Sequence, residues 1–190
     1  MARAGLTPQR VVDEAALVAD EIGLDQLTLA AVAERFGVAL PSLYKHVRGI
    51  DDLRRGLAVA GIRALAGELQ RAAVGRSGRD ALLAVAEAYR SLATTRPGLY
   101  AATLRAPAVD DEEHTAASQE ALDVVFAVMR GYGLEGADAV HAIRALRASL
   151  HGFVALEAAG GFGMPEDVDE SFRRLVDGID ASLASRSSVR

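Results

Sequence analysis

Tyr44-Lys45-His46 places a phenol, an ammonium and an imidazole side by side, a grouping suited to phosphate and base-edge contacts. Lys45 is the only lysine in the chain. The same residues would serve if Tyr44 and His46 packed the edge of a small domain, and spacing alone leaves both readings open. Arg144, Arg147 and His151 recur at helical spacing and share one helix edge. They suit an anionic or carbonyl-bearing ligand, or pair with Glu87, Glu120 or Glu157 as ordinary salt bridges. Asp110-Asp111-Glu112-Glu113-His114 is rich in metal-ligand types. Consecutive residues point different ways on a helix, so a solvated helix start favoured by the dipole is expected, with no metal and no cofactor. The four histidines, His46, His114, His141 and His151, are scattered, and there is no Ser/His/Asp order or glycine-rich phosphate loop. A small helical enzyme therefore has no catalytic residues to carry it.

The elements that must position these groups read as helices. About half of the 190 residues are apolar (51%), only 5% are aromatic, and β-branched runs are short, a balance that favours helices over strands. The absence of cysteine excludes disulfides and thiolate metal sites. No apolar run reaches signal-peptide or membrane-spanning length, so a soluble, cytoplasmic protein with no membrane partner is expected. The net charge of −5 is not the basic footprint of a nucleic-acid binder. Any DNA affinity must come from local placement.

Thr7-Pro8 is a helix start, and Val11, Ala15, Val18 and Ile22 form one apolar stripe ending at Gly23. Leu24, Leu27 and Leu29 plug a small core. Thr28 caps a short second helix, about Leu29 to Phe36, which Gly37 stops. A third runs from about Leu40 to His46, with Pro41 in its first turn. Gly49 ends it, and Asp51 caps a longer helix from Asp52 to about Arg71. Val74-Gly75-Arg76-Ser77-Gly78 is the clearest linker. Helices of about 79–95, 99–104, 111–131, 137–159 and 167–185 follow, and the tail from Ser185 frays. The expectation is an all-α protein of about nine helices: a three-helix helix-turn-helix domain over 1–50 and a larger helical domain over 51–190.

Two short helices joined around Gly37 make a helix-turn-helix arrangement, whose second helix must face apolar residues inward and small or polar ones outward. Val38, Leu43 and Val47 can point inward. Ala39, Leu40, Ser42, Tyr44, Lys45 and His46 are left for the outside or the edges.

The stretch Leu27-Thr28-Leu29, Ala33-Glu34-Arg35-Phe36-Gly37-Val38, Pro41-Ser42-Leu43-Tyr44-Lys45-His46-Val47 and Asp51-Asp52-Leu53 resembles the N-terminal signature of the tetracycline-repressor (TetR) family. The resemblance covers about the first quarter of the chain. It implies that Thr28, Tyr44, Lys45 and His46 contact phosphates or sugar edges, that Leu40, Pro41, Ser42 and Lys45 lie nearest the bases, and that Arg48 adds a phosphate contact. Leu40 would read only a thymine methyl or shape. One departure is plain: where the family usually carries a lysine this chain has Ile50, followed by Asp51 and Asp52. Arg3 and Arg10 would then compensate, or binding would be weaker and less salt-dependent.

Along 137–159, Ile143, Leu146, Leu150, Phe153 and Val154 share one apolar face, while Ala145, Ala148, Gly152, Ala155 and Ala159 share a face of small side chains. The last helix carries Val168, Phe172, Leu175, Val176, Ile179 and Leu183 along one stripe. Two such helices per subunit would form a four-helix seam across a two-fold axis, although internal neighbours would also account for both faces. His151-Gly152 resembles the Trp-His-Gly type of C-terminal domain within the family, with Leu150 in place of the tryptophan. The family resemblance further implies a small-molecule cavity, for which Tyr89, Leu92, Tyr100, Leu104, Phe126, Met129, Arg144, Arg147, His151 and Phe162 are the candidates. The resulting expectation is a ligand-responsive repressor that binds a palindromic operator in double-stranded DNA as a homodimer, with an unknown small-molecule effector. The alternative is a constitutive DNA-binding protein that senses nothing.

Overall fold

The computed structural model describes residues 6–187, and among them every regular element is helical. In chain order these are α1 (Pro8–Ile22), a 3-10 turn (Leu24–Gln26), α2 (Leu29–Phe36) and a 3-10 helix (Leu40–Lys45). Then come α3 (Ile50–Ala73), α4 (Gly78–Thr95), α5 (Pro97–Ala102), α6 (Glu112–Arg130), α7 (Gly136–Ala158) and α8 (Val168–Ser187). All nine expected helices are present, the third as a 3-10 helix. The 3-10 turn is additional. Arg3 and the last three residues of the tail lie outside the described residues.

Local chemistry accounts for the boundaries. Thr7 Oγ1 accepts from the Arg10 N–H at 3.2 Å and Pro8 occupies the first turn of α1. Thr28 repeats the device, accepting from the Ala31 N–H at 3.1 Å to start α2. Gly37 ends α2 at φ 65° and ψ 37°, a left-handed conformation that costs glycine little. The Val38 N–H then reaches back to the Ala33 carbonyl, closing the helix end.

Two helix starts and the end of one apolar stripe differ from expectation. α3 starts at Ile50, and the Leu53 N–H donates to the Gly49 carbonyl. Gly49 is thus the cap, and Asp51 and Asp52 sit in the first turn. α5 runs from Pro97 to Ala102 rather than over 99–104, because Pro97 fits the first helical position and Asp20 supplies the cap from α1. The Asp20 carboxylate accepts from Gly98 N–H at 2.9 Å and Leu99 N–H at 3.0 Å, and also holds Arg96. Ile22 is exposed, so the buried stripe of α1 closes at Val18 and Ala19.

The chain divides into two compact units. One takes the residues up to Ala64 together with Thr95–Ser118; the other takes Leu65–Thr94 together with Gln119 onward. The break near residue 50 expected from the head motif is not where the compact units divide, because the head's core is completed from later segments. Val11, Ala15, Val18, Leu27, Val32, Leu43 and Val47 pack with Leu53 and Leu57 of α3 and with Leu99 and Ala102 of α5. Gly98 explains how α5 comes so close: a Cβ there would lie 2.1 Å from the Ala19 carbonyl carbon.

Within the second unit, arginines and aromatics fasten the helices. Arg90 of α4 pairs with Glu157 of α7 and with Asp169 of α8. Its guanidinium lies 4.8 Å from the Phe172 ring centroid and 5.6 Å from that of Phe153. The Tyr132 hydroxyl donates to Asp180, and burial, with that carboxylate beside it, pushes the phenol well above its ordinary pKa.

Candidate nucleic-acid interface

In the 3-10 helix the inward positions are settled by the core. Leu43 is fully buried and Val47 nearly so, with Val38 half-buried beside them. Because a 3-10 helix turns in three residues, anchoring Leu43 drives Tyr44 and Lys45 outward, and Tyr44 is 55% exposed. Pro41 is exposed and Ser42 half-buried on the preceding turn, and Thr28 is exposed at the start of α2. Two of the outward-facing expectations change. Leu40 packs partly against the head's core, which leaves only part of its side chain for a thymine methyl. His46 is half-buried and lines a groove of about 750 Å³ shared with Gln9, Asp13, Arg55 and Arg63.

Arg48 carries the clearest electrostatic feature of this surface. The Asp52 carboxylate accepts from the Arg48 backbone N–H at 3.0 Å and from its guanidinium at 3.1 Å. The backbone N–H bond, with the guanidinium, holds the Asp52 carboxyl below the usual carboxylate range. The i,i+4 spacing was visible in the sequence; that the acid also takes the backbone N–H was not. Arg10 is exposed on the first turn of α1.

The acidic run is not a solvated helix start throughout. Asp111 makes a two-pronged contact with Arg55 of α3 and accepts from the His114 N–H at 3.1 Å, while Glu113 bridges Arg55 and Arg63. The Arg55 guanidinium pulls the Asp111 carboxyl down to about 2. His114 is buried at 1% exposure. Among the described residues no group of three or more acidic or imidazole side chains is arranged to hold a metal.

The remaining candidates are spread out. Tyr89, Leu92, Tyr100 and Met129 are buried and Phe126 is half-buried, while Arg144 and Arg147 are exposed and His151 is half-buried. Leu104 and Phe162 are 42% and 37% exposed, and the Phe162 ring packs on Phe153 at 4.8 Å. Neither the head groove nor the α7–α8 groove described below is lined by any of them. Glu157, a possible partner for Arg144, Arg147 or His151, pairs with Arg90.

On α7 the expected faces separate cleanly. Ile143, Leu146, Leu150 and Val154 are buried and Phe153 is half-buried, whereas Ala145, Ala148, Gly152, Ala155 and Ala159 are exposed. α8 divides its stripe: Phe172, Val176 and Leu183 are buried within the unit, while Leu175 and Ile179 are half-buried. Phe172 cannot serve as an interface residue, because it packs edge-on against Phe153 and under Arg90. Leu175, Gly178 and Ile179 line, with Ala142, Ala145 and Ser149 of α7, an open groove of about 420 Å³.

A helix-turn-helix head with a polar outer turn on a packed apolar base defines a nucleic-acid-binding protein of the helical type. The comparisons with known proteins make that class specific. Residues 82–179 match the family model described as the tetracyclin repressor-like C-terminal domain. The chain is 39% identical over 186 residues, 97% of its length and 85% of the other's, to an uncharacterized HTH-type transcriptional regulator of Mycobacterium tuberculosis. It resembles a solved protein of unknown function from Rhodococcus sp. RHA1, at 26% identity and a TM-score of 0.77, covering 97% of this chain and 99% of that one. A tetracycline repressor variant of Acinetobacter baumannii AYE, solved in complex with minocycline, shares the fold at 23% identity and a TM-score of 0.72, covering 96% and 99%. The chain belongs to the TetR family of transcriptional regulators. Its relatives are regulators, not enzymes, and among the described residues no helix is long and apolar enough to cross a membrane.

Proposed function

We propose that the chain is a ligand-responsive repressor that grips a palindromic operator as a homodimer, with Thr28, Leu40, Pro41, Ser42, Tyr44, Lys45, His46 and Arg48 forming the reading surface. The observation that carries this reading is the pairing of buried Leu43 and Val47 with exposed Tyr44 and Lys45. A rigid base presents a phenol and an ammonium at a height that the major groove accepts. Gel shift on the DNA upstream of the coding sequence tests it. Tyr44→Ala with Lys45→Ala should weaken binding roughly 10- to 100-fold, since each contact contributes about 1 kcal/mol or more, with the helical circular-dichroism spectrum unchanged. Wild-type affinity in the double variant refutes the assignment.

Dimerisation is supported by the exposed small-residue face of α7 and the adjoining groove with α8. Small side chains let a partner's helices approach closely, and two heads must lie about 34 Å apart to meet successive major grooves. Effector binding would shift the dimer away from that spacing. The minocycline complex of the Acinetobacter baumannii protein makes a cavity for a small organic effector reasonable here, in the unit that carries Tyr89, Met129 and Arg144. DNA as the partner makes the cytoplasm the compartment in which the chain acts.

A constitutive regulator is the second reading. It is favoured by one observation: the ligand candidates line neither described groove. A thermal-shift screen of drugs and metabolites separates the two, because a ligand at 100 times its Kd raises stability by about 2.7 kcal/mol.

A further inference from the structure

Arg48 lies where the reading turn leaves the 3-10 helix, and its side chain is 89% exposed, yet it is not unengaged. Asp52, in the first turn of α3, reaches back four residues and takes both the Arg48 backbone N–H at 3.0 Å and the guanidinium at 3.1 Å. In a capping box an acid at the third helical position returns to the cap residue's own N–H. Here the cap is Gly49, and the acid reaches one residue further out. The two bonds have opposite consequences for DNA. The backbone bond fixes the end of the reading turn, only one residue from buried Val47, and so helps hold Tyr44 and Lys45 in place. The guanidinium bond occupies the positive charge that a phosphate would take.

We propose that Asp52 is a positioning residue that sets DNA affinity in both directions, holding the reading turn through the Arg48 N–H while withholding the Arg48 guanidinium from phosphate. The proposal rests on the head being the DNA-reading surface. With Ile50 in the position where a lysine would otherwise supply charge, Arg48 is the cation just before the start of α3, and Asp52, which also feels Arg55 from within α3, decides whether it is available. Exposed ion pairs are weak and salt-screened, so neutralising the carboxylate should release the guanidinium to one further phosphate for a modest gain.

Because phosphate contacts are independent of sequence, a labelled mixed-sequence duplex is a sufficient probe. Fluorescence anisotropy over a salt series would be measured for the full chain and for Asp52→Asn, Asp52→Ala, Arg48→Ala and the Arg48→Ala/Asp52→Asn pair. Asparagine keeps one acceptor oxygen for the backbone N–H and loses the charge. Asp52→Asn should therefore bind roughly two- to fivefold tighter at low salt, with the slope of log K against log salt steeper by about 1. Asp52→Ala frees the guanidinium but also loosens the turn, and should bind more weakly than Asp52→Asn. Arg48→Ala should cost little by itself and should abolish the gain of Asp52→Asn.

A gain that persists without Arg48 would mean only that a negative charge has been removed near DNA, and would overturn the proposal. An unchanged slope in Asp52→Asn would overturn it too. Failure of the underlying reading looks different: Tyr44→Ala/Lys45→Ala would then bind the same duplex as tightly as the parent chain.

Discussion

Two exposed surfaces of this chain stand on equally firm bases and expose opposite chemistry. The reading turn shows Tyr44 and Lys45 to solvent over buried Leu43 and Val47. α7 shows Ala145, Ala148, Gly152 and Ala155 over buried Ile143, Leu146, Leu150 and Val154. Polar groups over a rigid apolar base lose little by waiting in water, so the first surface is complete without a partner. Small apolar groups contribute almost nothing in water and gain only when another surface comes close enough to exclude it. If the first reads DNA and the second meets a partner chain, as proposed, a recognition surface and an assembly surface differ less in how they are held than in what they leave outside.

The comparison breaks if the inner and outer residues are energetically alike. Leu43→Ala removes a fully buried side chain and should destabilise by about 2–5 kcal/mol, read as a drop in melting temperature of roughly 10 °C. Tyr44→Ala should melt with the parent chain and fail instead in DNA binding. Equal melting losses would mean that Tyr44 belongs to the packing. Gly98→Ala is the next largest change. Its methyl would press on the Ala19 backbone at 2.1 Å, so α5 must retreat from α1. Overpacking of this kind costs about 1–3 kcal/mol, seen as a lower melting temperature and as faster hydrogen exchange in α1 and α5.

For the second surface, Ala148→Glu places a carboxylate on the exposed small face of α7. A buried unpaired charge at the seam should weaken the dimer by about 2 kcal/mol or more, roughly 30-fold in dissociation constant. Sedimentation would detect monomer at concentrations where the parent chain is paired. The melting temperature of the monomer should hardly move. An unchanged dimer would remove α7 from the interface.

How much of this was legible follows the range of the interactions. Thr28, Gly37 and Leu43 could be read directly, because caps, left-handed stops and the inward apolar positions are set by neighbours within a few residues. The split between the two faces of α7 was readable for the same reason. The Asp20 cap on α5 and the Arg55–Asp111 pair were not, since 78 and 56 residues separate their partners and the sequence carries no marker for such meetings. Asp111 and His114 therefore read as a solvated start when one is ion-paired and the other buried. α8 misled in another way: Phe172, Val176, Leu175 and Ile179 recur on one stripe, yet the first two face the unit and the last two are half-open.

The smallest effect is also the one that tests how the first surface is held. Arg55 of α3 and Asp111 join two segments of the unit that contains the reading turn, and the guanidinium draws the Asp111 carboxyl down to about 2. A carboxyl depressed in the folded state stabilises above its unfolded pKa of about 3.9, and that contribution is lost as pH falls through the folded value. Asp111→Asn should accordingly melt a few degrees below the parent at neutral pH. The gap should begin to close below about pH 4 and vanish only as pH falls through about 2, the folded value, because below it the parent's Asp111 is protonated and neutral as well. Melting curves at neutral, mildly acid and strongly acid pH distinguish this from a packing defect, which would keep the two curves separated by the same interval throughout. A constant interval would leave shape, not charge, as what holds α3 to the start of α6.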